Sequence, residues 1–135
     1  MAKITSLKEL FTKEFLVDIL STASYGSFWF DCSVHKDTPD DVYKKAKKEN
    51  ECREEIWADC LLGGACLNIC DVEECADNDT DEGEHKVGLN DIVKGFEIVM
   101  LNYPQMYANI REENYDLYDA DAVIQCAVFG ELVYG

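Results

Sequence analysis

Basic residues are scarce in this sequence, and histidine and proline are scarcer. Twelve Lys and Arg stand against 28 Asp and Glu, with 2 His and 2 Pro, for a net charge of −16. A deficit of that size argues against direct contact with nucleic acid or an anionic membrane, because both present phosphates that call for cations. Long apolar runs are missing too: nothing approaches the roughly 18 uninterrupted apolar residues of a spanning helix. The opening "MAKITSLKELFTKEFLVDIL" has no apolar core of a secretory signal, since Lys8, Glu9, Lys13 and Glu14 interrupt it. The expectation is a cytoplasmic chain. Catalytic fingerprints are also wanting, with no Gly-x-Ser-x-Gly, P-loop or dinucleotide motif. Cys32 and His35 would point to opposite faces of a strand, and Cys126 falls inside an apolar helix where a thiol is usually inert. These absences favour a non-enzyme with no cofactor.

What is present suffices for a folded core. The chain has 135 residues, 47% of them hydrophobic and 11% aromatic, which is inconsistent with wholesale disorder. No repeat, Pro-rich linker or composition break divides it, so residues 1–135 read as a single domain. Ser6 with Glu9 fits a capping box ahead of Phe11, Phe15 and Ile19, predicting a helix over 6–21. "YGSFWFDCSV" (25–34) alternates as a strand. The stretch from Thr38-Pro39 to the stop at Gly63-Gly64 reads as one helix. "ACLNICDVEE" follows as a strand and "HKVGL" as a short third one. Asn90 is placed to cap an amphipathic helix that Pro104 ends. "DADAVIQCAVFG" is then a buried helix, with Asp119 near its cap and Gly130 at its C′ position. The fold class expected is α+β: a small antiparallel sheet of two to three strands covered by about four helices.

"CLLGGACLNICDVEEC" (60–75) packs four of the seven cysteines into sixteen residues. Structural zinc is best announced by paired Cys-x-x-Cys turns, and none occurs here. On a strand, Cys66 and Cys70 would share a face about 13 Å apart, too far for one ion. On a helix they would lie about 6 Å apart, so a zinc site from Cys60, Cys66, Cys70 and Cys75 stays open as the weaker alternative. The favoured reading makes the cysteines free thiols used as core packing. An odd count without a secretion signal argues against a disulfide framework.

Acidic residues are unevenly distributed. Residues 1–70 hold twelve acids and nine bases, residues 71–135 sixteen acids and three bases. "DVEECADNDTDEGEH" (71–85) contains eight acids and no Lys or Arg. Asp77, Asp79 and Asp81 match the first ligand positions of a calcium loop, but the glycine and glutamate places hold Glu82 and Gly88. An EF-hand fails, leaving weak calcium binding or a solvated, solubilising loop. The residues expected to present charge are Asp71, Glu73, Glu74, Asp77, Asp79, Asp81, Glu82 and Glu84. Glu112, Glu113, Asp116 and Asp119 form a second cluster, although Asp119 also suits a helix dipole. Lys44, Lys45, Lys47 and Lys48 read as a solvated helix face.

"YGSFWFDCSV" and "ADAVIQCAVFGELVYG" (120–135), with "DVEE" (71–74) and the helix from Asn90, resemble small acidic proteins of phages and mobile elements of gut Firmicutes. The resemblance implies a setting in which acidic single-domain inhibitors of host defence occur, including anti-CRISPR and anti-restriction proteins. Joined to the charge, it leads to a non-catalytic protein that binds the basic surface of a host nucleic-acid-binding protein, as a DNA mimic. Two alternatives stand beside it. One is a phage accessory or assembly protein binding through Tyr25, Trp29, Tyr118 and Tyr134, with a homodimer open. The other is a small zinc-binding or thiol protein.

Overall fold

The computed structural model describes residues 7–27, 29–72 and 83–134. A 3-10 turn (Leu7–Leu10) leads into α1 (Lys13–Gly26), β1 (Phe30–Val34), α2 (Asp40–Glu49), α3 (Arg53–Leu62), β2 (Leu67–Asp71) and β3 (Glu84–Val87). The chain closes with α4 (Leu89–Asn102), α5 (Pro104–Arg111) and α6 (Leu117–Phe129). The fold is α+β, with an antiparallel sheet in the order β1-β2-β3 and six α-helices among the described residues rather than about four. None of these helices is long and apolar enough to cross a membrane.

Each departure from the expected elements has a local cause. α1 starts at Lys13 because Thr12 caps it, its hydroxyl accepting from Phe15 N–H at 3.2 Å; Ser6 lies outside the described residues. Tyr25 belongs to the end of α1, and the strand begins only at Phe30. The helix expected across 39–62 breaks into α2 and α3 at Asn50. There the Asn50 amide donates to Ala46 O (2.9 Å) and Asp59 Oδ2 (2.6 Å), and Lys13 Nζ reaches both Asn50 Oδ1 (2.7 Å) and Asp59 (3.1 Å). α4 is capped at Gly88, whose N–H meets Asp91 Oδ2 at 2.8 Å, and not at Asn90. Pro104 ends α4 and then opens α5 as its first residue, the position where its missing N–H costs nothing.

The sheet presents alternate residues to the helices. Leu67, Ile69 and Asp71 of β2 are buried, with Val34, Cys32 and Phe30 opposite them in register, while Asp31, Ser33, Glu84 and Lys86 are exposed. α6 is the centre of the helical layer: Ala120, Ala122, Val123, Ile124 and Cys126 are all buried, flanked by α1 and α4. α4 reaches it at Gly95, where a Cβ would lie 2.6 Å from both Ala127 N and Val123 O. Phe96 packs beside that crossing, edge-on to Phe11 at 5.4 Å and Phe15 at 6.0 Å.

A buried polar hub fastens the C-terminal tail. Gln125 Oε1 accepts from Val133 N–H and Tyr134 N–H, both at 2.8 Å, and its amide donates to Tyr134 O and Asp121 Oδ2. Asp121 also accepts from Trp29 Nε1 at 2.7 Å and from the Ser27 hydroxyl. Tyr134 stacks on Trp29 at 5.5 Å and donates its hydroxyl to Asp71 at 2.8 Å.

Gly95 tests the helix crossing. Gly95→Ala forces a methyl against backbone that cannot rotate away, and should cost about 3 kcal/mol in urea unfolding. Leu101→Ala, on the exposed side of the same helix, should change stability by less than about 0.5 kcal/mol.

Candidate docking groove

α1 sets one wall of a groove of about 710 Å³. Leu16, Ile19, Leu20 and Ala23 bury its apolar stripe, so Glu14 and Asp18, one turn apart, are held outward on the opposite side. The other wall is the corner between α5 and α6: Ile110, Arg111, Glu113 and Tyr115. Phe15, Leu10 and Ile110 add apolar lining. Among the described residues no ion pair involves Glu14, Asp18, Arg111 or Glu113. The groove therefore holds three carboxylates and one arginine, none of them in an ion pair among the described residues.

Backbone conformation puts Glu113 there. It sits at φ 57°, the sole non-glycine residue at positive φ among the described residues. Its N–H bonds Ile110 O at 3.1 Å, and Asn114 N–H bonds Asn109 O at 2.9 Å, so the corner closes α5 as a left-handed cap normally assigned to glycine. Burial raises the Tyr115 hydroxyl above its ordinary value, helped by the negative charges of Asp18 and Glu113, while the Thr22 side chain works the other way. Both walls thus project negative potential onto the same phenol.

Two aromatics on the same helices are strongly exposed, Tyr25 at 82% and Tyr118 at 65%, and neither lines the groove.

Several residues expected to present charge do otherwise. Asp71 is 1% exposed and accepts from Tyr134, and Asp119 is 4% exposed, accepting from Asp116 N–H at 3.1 Å and Asn109 Nδ2 at 3.2 Å. Both are internal hydrogen-bond acceptors and leave the candidate surface. Asp116 is the true cap of α6, accepting from Tyr118 and Asp119 N–H, though it remains exposed. Glu84 is exposed on β3 beside Asn68. Glu112 and Glu113 are exposed, and of the second cluster only Glu113 lines the groove. Glu73, Glu74, Asp77, Asp79, Asp81 and Glu82, and with them the calcium question, lie outside the described residues. Glu14 and Asp18 sit in an N-terminal half near charge balance, where composition does not single them out; their spacing on the polar face of a helix is the available signal.

The cysteines divide. Cys60 and Cys126 are buried, and Cys60 packs with Ala46 and Ala65 in a small second cluster. Cys66 and Cys70 are not on the core face, which belongs to Leu67, Ile69 and Asp71. Cys70 is disulfide-bonded, correcting the expectation of free thiols throughout. Cys75 lies outside the described residues, and among the described residues no group of three or more His, Cys, Asp or Glu could hold a metal ion. Cys32 and His35 line one shared groove rather than opposite faces, because the strand ends at Val34. Burial pushes the Cys32 thiol up to about 12, so it stays protonated at neutral pH. Trp29 and Tyr134, expected at an aromatic surface, are tied into the polar hub instead.

No family model, curated protein or solved structure matches the chain.

Two measurements follow from this geometry. Glu113→Gly should raise stability by about 1 kcal/mol, because glycine occupies the left-handed region without a Cβ clash; a fall in the urea midpoint would contradict the cap. An unfolded thiol ionises near 9.0, whereas folded Cys32 holds its proton to about 12 and Cys126 to about 11. The stability they contribute is full below pH 9 and drains away as pH rises through that window. Denaturant midpoints taken from pH 8.5 to 11.5 should fall, and Cys32→Val should flatten the decline.

Proposed function

We propose that the protein is a non-catalytic interaction module that receives the basic surface of a partner in the groove between α1 and the α5–α6 corner. The observation that supports this reading is the set of three carboxylates, Glu14, Asp18 and Glu113, that form no ion pair among the described residues and line a partly apolar groove. A lysine or arginine entering it gains charge-assisted hydrogen bonds, and its methylenes cover Phe15 and Ile110. Tyr25 and Tyr118 supply the amphipathic rings that dominate binding energy at many interfaces. The assembly reading, which relied on four aromatics, keeps these two as exposed rings outside the groove lining.

The nature of the partner follows from charge at long range. At −16, the chain is steered toward cationic surfaces and away from nucleic acid itself. Proteins that handle nucleic acid present such surfaces, built to meet one negative charge per about 1.7 Å of duplex axis. The partner proposed is a host nucleic-acid-binding protein, of the kind that defends against phages and mobile elements, held by mimicry of DNA charge. Association of this kind is fast and salt-sensitive.

The test is capture from nuclease-treated host lysate, eluted over a salt gradient, with the wild type beside Glu14→Lys/Asp18→Lys/Glu113→Lys. A basic nucleic-acid-binding protein should leave the wild type at moderate salt, and the triple variant should bind it about 100-fold more weakly with an unchanged circular dichroism spectrum. A partner released only by denaturant and lost in Tyr25→Ser/Tyr118→Ser would replace the charge reading with an apolar one.

A further inference from the structure

A second groove, of about 500 Å³, lies along β1. β1 is an end strand of the sheet among the described residues. Its ladder to β2 is bracketed by Val72 N–H to Trp29 O (2.8 Å) and His35 N–H to Cys66 O (3.0 Å). In an antiparallel pair of that register, residues 29, 31, 33 and 35 direct their backbone groups to β2, and the residues between them point the other way. The N–H and C=O of Cys32 and Val34 therefore face away from the sheet, and no described group bonds them. Natural edges are commonly blunted by proline, lysine, a bulge or a covering element. "FDCSV" has neither proline nor lysine, and beside it stands an open groove.

The far wall of that groove favours anions. Lys36 lies at the strand exit and Arg53 opposite, with Tyr43 and Trp57 between, while Asp40 is the acid among the lining residues. Arg53 is held in place over the Trp57 ring at 5.1 Å and by Glu54 at 3.2 Å, leaving further guanidinium N–H groups to donate. α2 begins beside the groove with no side-chain cap on its first-turn amides. Among the lining residues two bases stand against one acid, in a chain that is −16 overall. Charges beyond about 8 Å are screened at physiological salt, so the residues at the groove decide what it accepts.

We propose that this groove takes an extended acidic peptide of a partner protein, added to β1 as a fourth strand. The backbone of Cys32 and Val34 supplies the pairing. Lys36 and Arg53 select carboxylates at alternate positions of the incoming strand, and its other side chains pack on Tyr43 and Ile56. A second copy of this chain is the poorer occupant, because two bodies of charge −16 repel. This surface is separate from the acidic groove, and neither proposal depends on the other.

The experiment is amide hydrogen exchange of the full chain by NMR, with two seven-residue synthetic probes that alternate valine with glutamate or valine with lysine. The valine–glutamate probe should slow exchange at Cys32 and Val34 about tenfold or more, and the valine–lysine probe should not. Lys36→Glu/Arg53→Gln, which keeps a donor for Glu54, should weaken the glutamate probe by about tenfold with the fold intact. The proposal is overturned if the glutamate probe fails to bind, if both probes protect the two amides equally, or if protection appears elsewhere. It is also overturned if the chain alone protects them in proportion to its own concentration, which would give the edge to a second copy.

Discussion

At Gly95 the backbone of α4 meets the backbone of α6, with no room for a methyl group between them. That contact draws α6 into the middle of the helical layer, where it is covered by α1 on another side and by the sheet through β3. Helices that approach so closely gain dispersion contacts along both backbones, and only a residue without a Cβ permits it. The position of α1 follows from the same packing, because its apolar stripe must lie against α6. Once that stripe is buried, Glu14 and Asp18 have no direction left but outward. The acidic groove is therefore a consequence of the helix packing.

The acidic composition divides into two kinds of carboxylate. Asp71, Asp119 and Asp121 act as internal acceptors, Asp71 and Asp121 meeting donors from distant parts of the chain and Asp119 one from the preceding helix. A buried carboxylate is costly unless such donors are supplied, and here they arrive from Tyr134, Asn109, Ser27 and Trp29. Gln125 completes the arrangement by satisfying both the N–H and C=O of Tyr134. These groups tie strand, helix and tail into one hydrogen-bonded unit. Glu14, Asp18 and Glu113 make no such bonds among the described residues, which separates surface charge from structural charge.

The two grooves differ in local sign. One combines carboxylates with an apolar lining; the other combines Lys36 and Arg53 with an open strand edge. Under the two proposals, one molecule would engage a basic surface and an acidic extended segment at once. A partner offering both elements would be bound more tightly than either contact achieves, because the second engagement becomes intramolecular.

The amphipathic periods of α1 and α4, the nearly continuous apolar run of α6, the αL glycine at 130 and the alternation of β1 were all legible in the residues, because they arise from interactions within a few positions. The break at Asn50 was not, since it depends on Lys13 and Asp59 arriving from other elements. Nor was α5, where Pro104 reads equally well as an end or a beginning. Trp29 looked like a surface aromatic until Asp121, 92 residues away, was brought to its indole nitrogen. Composition and local periodicity by themselves determined that this is an acidic α+β chain with a real core. Which acids face solvent, which thiol is disulfide-bonded and which strand edge stays open were decided only by tertiary packing, because burial and pairing depend on neighbours that are remote along the chain.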